Sequence, residues 1–141
     1  MDKFFETKDL TVGYNGTPLI HDISLGIKRG EIVTLIGPNG SGKSTILKTI
    51  TKHLASLQGT VYIGKDELGK LTYKELSKKV AVVLTERIRP ELMTCREVVA
   101  SGRYPYTNRM GILSAKDEAI VSETMEKVNV LELSDKSYNA I

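Results

Sequence analysis

The sequence predicts an α/β fold, and three observations carry that prediction. Two nearly unbroken apolar runs, EIVTLIG (31–37) and VAVVL (80–84), read as strands buried on both faces, as in a parallel sheet. A glycine-rich stretch, GPNGSGKST (37–45), joins the first run to a segment of helical periodicity. Strand-like and helix-like segments then alternate before the chain turns helical after Pro90.

The elements follow in order. Between residues 8 and 28, Leu10, Val12 and Tyr14 alternate with polar residues, NGT supplies a turn, and Ile23, Leu25 and Ile27 alternate with Ser24, Gly26 and Lys28. That pattern predicts an antiparallel hairpin with one buried face, ended by KRG (28–30). After the glycines, Ile46, Leu47, Ile50 and Leu54 fall on one side at helical spacing, with Lys48 and Lys52 opposite. QGTVYIG predicts a strand, TYKELSKK a short helix, and VAVVL a further strand. Thr94 followed by Glu97 is a capping box, so a helix starts at Cys95 and ends near Gly102. GRYPYTNRMG reads as a loop, and Ser114 caps a helix over 115–129 on which Val121, Met125 and Val128 share a face. The division expected is a nucleotide-binding α/β core with an N-terminal β part over 1–93 and the start of a helical subdomain over 94–141.

Composition narrows the class. With 141 residues the chain is one domain or a large part of one. A net charge of +3 from dispersed lysines argues against a dedicated nucleic-acid-binding arm. Cys95 is the single cysteine, which excludes an intrachain disulfide and points to a reducing compartment. The start, MDKFFETKDL, lacks the apolar stretch of a signal peptide. No apolar run approaches the ~20 residues a spanning helix needs. The chain reads as cytoplasmic, without direct membrane insertion, so any membrane link runs through a partner.

Gly37, Gly42, Lys43 and Ser44 satisfy G-x-x-x-x-G-K-[ST]. The spacing has a chemical reason. A strand must end in a tight loop whose backbone N–H groups converge on phosphate oxygens, and side chains would block that approach. Gly37, Gly40 and Gly42 remove them and permit positive φ. The helix beginning near Lys43 points its unpaired N–H groups and positive dipole end at the same anion. Lys43 brings a full charge to the β and γ phosphates, and the Ser44 hydroxyl is placed to ligate Mg²⁺. Residues Gly37, Pro38, Asn39, Gly40, Ser41, Gly42, Lys43, Ser44 and Thr45 are therefore the expected cradle for a nucleoside triphosphate.

With GPNGSGKST in place and Tyr14 upstream in LTVGYNG, the chain resembles the ATP-binding subunits of ABC transporters along its whole length. VVASGRYPYT and LSAKDEAIVSETMEKVNVLEL look like the importer ATPases for iron-siderophores, haem and cobalamin. The resemblance implies a P-loop NTPase (ABC ATPase) fold with an N-terminal antiparallel β hairpin, the start of a helical subdomain and an incomplete core sheet. It implies ATP and Mg²⁺ as cofactors and ATP-driven uptake of an iron-siderophore-like chelate. The implied partners are a transmembrane permease and a second ATP-binding subunit, at the inner face of the cell membrane. In that family an aromatic at the place of Tyr14 stacks on adenine, which a flat ring does without reading base edges; a tyrosine in a hairpin can also merely pack.

Glu86 follows an apolar strand and imitates the Walker B carboxylate that binds Mg²⁺ through water. The family pattern instead puts this strand before the Q-loop, with Thr85 and Glu86 where a leucine-proline step and a glutamine are usual. A carboxylate there suits the cation, or is a solvated loop acid; the departure bears on the glutamine's coupling role. RIRPELMT (87–94) occupies the permease-facing stretch of the family, with Ile88, Leu92 and Met93 either docking or closing a local core. Cys95 reads as a helix-start residue without chemistry, and His21 and His53 lack ligand spacing.

The serine-glycine signature, the Walker B strand with its catalytic glutamate, and the switch histidine of the family do not occur in these residues. The expectation is the N-terminal part of a longer subunit, which binds ATP without efficient hydrolysis. Two alternatives stand beside it. One is a non-catalytic nucleotide-binding module that self-associates through an open sheet edge. The other is a soluble ABC-type ATPase acting on ribosomes or DNA.

Overall fold

The computed structural model describes residues 3–85, 90 and 92–141, in two compact units, Met1–Val82 and Val83–Ile141.

In the first unit a β hairpin forms around the predicted NGT turn, but its second strand lies earlier than the alternation over 23–28 predicts. Strand β1 (Phe5–Tyr14) pairs antiparallel with β2 (Thr17–Ile23), with Tyr14 opposite Thr17. Asn15 and Gly16 between them both take positive φ (50° and 77°), the primed-turn geometry whose twist matches the strands it joins. β1 is the centre of a five-stranded antiparallel sheet. Its first half also pairs with β3 (Gly26–Ile27) and with β4 (Gln58–Ile63), Phe5 standing opposite both Ile27 and Ile63. β4 turns back into the short β5 (Asp66–Glu67).

Leu10 and Val12 lie in a core with Val61, Ile63, Leu68, Leu71 and Leu76, against which Ile20, Ile46 and Ile50 pack. The single buried face expected of the hairpin is corrected. Thr11 on the opposite face of β1 is as buried as its neighbours, so the strand is covered on both sides there. Its hydroxyl has no hydrogen-bond partner.

Helix α1 (Lys43–Ile50) ends at Thr51, a turn before Leu54. Its buried residues are Thr45 and Thr49, while Leu47, expected on the core side, is half exposed. Lys52, with φ 64°, turns inward and donates to the carbonyls of Leu68, Gly69 and Leu71, holding the turn after β5. Helix α2 (Tyr73–Ser77) is opened by a Thr72–Glu75 capping box.

The two apolar runs behave differently from expectation. Residues 31–37 and 80–84 are not strands, and most of their side chains face solvent: Ile32 is 95% exposed, Ile36 91% and Val83 97%, while Val80 packs on the core. A buried parallel strand is held by ladder hydrogen bonds to neighbours on both sides. All described strand pairs are antiparallel and none involves either run. An apolar run without a pairing neighbour has the composition of a strand but not its hydrogen bonds. This is the incomplete core sheet that the resemblance implies.

In the second unit α3 (Cys95–Ser101) starts at Thr94 with the predicted capping box complete, Thr94 Oγ1 accepting from the Glu97 amide and Glu97 from the Thr94 amide. α4 (Ala115–Lys127) is capped by Ser114, with Asp117 closing a second box. Val121 and Met125 are fully buried beside Cys95, with Val99, Val130 and Leu133 around them. Val128, expected on that face, lies beyond the last turn of α4 and is 60% exposed. The C-terminal residues return to α3: the Cys95 amide donates to the Lys136 carbonyl and the Tyr138 amide to that of Met93. No described helix is long and apolar enough to cross a membrane.

Candidate nucleotide-binding site

The site begins where the irregular segment 31–36 enters the glycine loop. Asn39 and Gly40 form a turn, and the Ser41 amide donates to the Pro38 carbonyl (3.3 Å). Of the three glycines, Gly40 (φ 81°) and Gly42 (φ 92°) adopt the left-handed backbone that a side chain opposes; Gly37 does not, and that part of the expectation is corrected. Gly42 is doubly constrained. A Cβ there would meet Ile20 Cδ1 at 2.5 Å and Leu19 Cδ2 at 3.2 Å, so β2 packs directly on the residue that opens α1. Leu19 and Ile20 are thus part of the site's support, and no local sequence signal marks them.

The N-terminus of α1 differs from those of the other described α-helices. α2, α3 and α4 each close theirs with a hydroxyl and an acid: Thr72 with Glu75, Thr94 with Glu97, Ser114 with Asp117. α1 has no capping side chain, no acid in its first turn, and a lysine as its first residue. Its unpaired N–H groups, its positive dipole end and the Lys43 charge all point at one place. That leaves the start of α1 open to an anion, which its positive dipole end favours.

Lys43 folds back over the loop, its Nζ donating to the carbonyls of Gly37 (2.8 Å) and Pro38 (2.6 Å). Those acceptors are exposed, so the ammonium can exchange them for a stronger phosphate partner. Ser44 is exposed at the first turn, and a solvent-facing hydroxyl suits a hard cation such as Mg²⁺. Thr45 is buried; its hydroxyl lies 3.4 Å from that of Tyr14, while Thr49 Oγ1 donates to its carbonyl. The end of β1 is thereby tied to the first turn of α1, and Tyr14 keeps nearly half its surface open to solvent.

Other predicted residues are placed as follows. Glu86 and Ile88 lie outside the described residues. Leu92 is exposed, whereas Met93 is partly covered and its carbonyl holds Tyr138. Cys95 is buried in the second core. The His53 ring meets Thr51 Oγ1 (3.0 Å) and its amide donates to the Lys48 carbonyl (2.8 Å), and no group of three potential metal ligands is found among the described residues.

A glycine loop opening an uncapped helix on an α/β scaffold defines the P-loop class of nucleotide-binding proteins. The ABC transporter family model matches residues 20–140, and the chain belongs to that family. It is 45% identical over 133 residues to an ABC transporter ATP-binding protein of Methanocaldococcus jannaschii, covering 94% of this chain and 46% of the relative. It is 33% identical to the iron(3+)-hydroxamate import ATP-binding protein of Bacillus subtilis, covering 96% and 50%. It is 28% identical to the ferric enterobactin transport ATP-binding protein of Escherichia coli, covering 95% and 49%. The chain thus spans about half the length of the curated relatives it matches. A solved nucleotide-free ATP-binding cassette superposes with a TM-score of 0.81 at 20% identity, over 100% of this chain and 59% of that one, which shows the fold. An ATP-binding subunit of an ABC transporter superposes at 0.76 with 26% identity, over 94% and 53%.

Proposed function

We propose that residues 37–45 bind the phosphates of ATP with Mg²⁺, and that the protein serves as the ATP-binding subunit of an importer for iron-siderophore-like chelates. The observation that carries the nucleotide reading is the uncapped, acid-free start of α1 with Lys43 at its first position. In this reading the amides of the loop and of the first turn bind the phosphate oxygens. Lys43 leaves the Gly37 and Pro38 carbonyls for the terminal phosphates, and Ser44 offers its hydroxyl to the cation. Mg²⁺, when bound, offsets phosphate charge. Tyr14 covers the base, held at its hydroxyl end by Thr45.

The import reading rests on the relatives, several of which are named for siderophore or iron-chelate transport. A membrane permease, a second ATP-binding subunit and a place at the inner membrane face belong to the same proposal. We further propose that these 141 residues bind the nucleotide without efficient turnover.

The test is titration with a fluorescent ATP analogue and Mg²⁺. The Lys43→Ala chain should bind at least about tenfold more weakly, the loss of one charge-assisted contact. Tyr14→Ala should weaken adenosine-bearing ligands but not tripolyphosphate. Equal affinity of Lys43→Ala and the parent would overturn the nucleotide reading. Phosphate release by the 141-residue chain well above the Lys43→Ala control would overturn the claim of inefficient turnover.

A further inference from the structure

A second anion-binding feature lies in the first unit and shares no residue with the loop 37–45. A recess of about 650 Å³ is lined by Phe4, Arg29, Ile63, Gly64, Lys65, Asp66, Lys78 and Lys79. Among the described residues, its four cations and one acid carry a formal +3. These cations come from three separate stretches of sequence: the end of the β2–β3 region, the β4–β5 turn, and the residues that follow α2. The negative end of α2 accounts for basic residues at 78 and 79. It does not account for Arg29 and Lys65, which reach the same recess from elsewhere.

The frame is held in place. The Phe4 amide donates to the Ile27 carbonyl (2.8 Å), and the Phe4 carbonyl accepts from the Gly64 amide (2.7 Å). The Lys78 and Lys79 amides close the last turn of α2 on Glu75 and Leu76. The Arg29 guanidinium lies 4.4 Å from the centre of the Phe4 ring, a cation–π contact that places it at the recess. Lys79 pairs with Asp66 at 3.0 Å, so the acid is engaged at the rim. Phe4 and Ile63 make an apolar floor, and charges above such a floor interact more strongly than they do in open water.

We propose that this recess binds a small polyphosphate anion, with Arg29 supplying paired donors and Lys65, Lys78 and Lys79 supplying point charges. Its test uses the Lys43→Ala chain, so that the loop 37–45 contributes little, and follows backbone amide NMR shifts during titration with tripolyphosphate. Expected is a saturable set of shifts confined to residues around Arg29, Gly64–Asp66 and Lys78–Lys79. Arg29→Glu and Lys65→Glu should each weaken binding by about tenfold, with amide spectra otherwise matching the parent. Lys65 is an exposed turn residue, so Lys65→Ala provides a milder variant that folds and should weaken binding in the same direction. Shifts that spread over all lysines without saturating would overturn the proposal, as would an affinity indifferent to Lys65. Neither result bears on ATP binding at the loop, which is read from the parent chain.

Discussion

Gly40 and Gly42 stand two residues apart in one loop, and the surroundings of each make different demands. At Gly40 a methyl group would meet nothing within 4 Å, so alanine pays only the left-handed backbone penalty, about 1 kcal/mol. At Gly42 the same penalty is joined by a Cβ 2.5 Å from Ile20 Cδ1, so the tip of the Ile20 side chain must also turn aside. Urea denaturation should find Gly42→Ala the more destabilised of the two, by a further ~1 kcal/mol or more for overpacking. Asp117 makes the second prediction at this scale. The Ser114 hydroxyl, then the Arg103 guanidinium and the Ser114 amide, hold its carboxyl at about 2, below the ordinary 3.8. A depressed folded pKa stabilises the native state above the unfolded value and loses that contribution as pH falls. The unfolding midpoint should therefore fall between pH ~4 and ~2, and Asp117→Asn should flatten that limb. A parent profile without a decline there would remove the ion pair from the account.

Among the elements, the start of α3 was legible before any tertiary contact was known. Thr94 and Glu97 stand at capping-box spacing, and both reciprocal hydrogen bonds are present. Thr94→Ala should cost about 1 kcal/mol, read as a lower midpoint in thermal unfolding followed by circular dichroism. The length of α1 was less legible, because Leu54 continues the apolar spacing. The helix ends where Lys52 takes a left-handed φ to reach three carbonyls after β5, a partner that local periodicity does not contain. In α4 the same limit shows at Val128: the position has the right phase, but the helix stops short of it.

For the whole molecule, the consequential feature is the pair of apolar runs that lack strand partners. Ile36 and Val83 present side chains of strand-core character to solvent, and unpaired backbone beside them invites another chain. The isolated 141-residue chain should self-associate with rising concentration in analytical ultracentrifugation. Ile36→Lys and Val83→Lys should each reduce that association, while shifting stability by no more than about 0.5 kcal/mol, since neither side chain packs. Unchanged association in both variants would place the sticky surface elsewhere.

What the sequence determined by itself is chemistry that acts within a few residues: the glycine loop with its lysine, the Asn15–Gly16 turn, the capping box at Thr94 and the cap at Ser114. Each depends on a backbone conformation and a partner three or four positions away, so the order of residues is enough to specify it. Tertiary structure alone decided the rest. It decided whether 31–37 and 80–84 become strands, because a strand exists only through its neighbours' hydrogen bonds. It buried Thr11 as deeply as Val12, set Ile20 against Gly42, and brought Arg29, Lys65 and Lys79 to one recess. Those outcomes join residues far apart in the chain, and their energies are set by packing and charge that no short stretch of sequence carries.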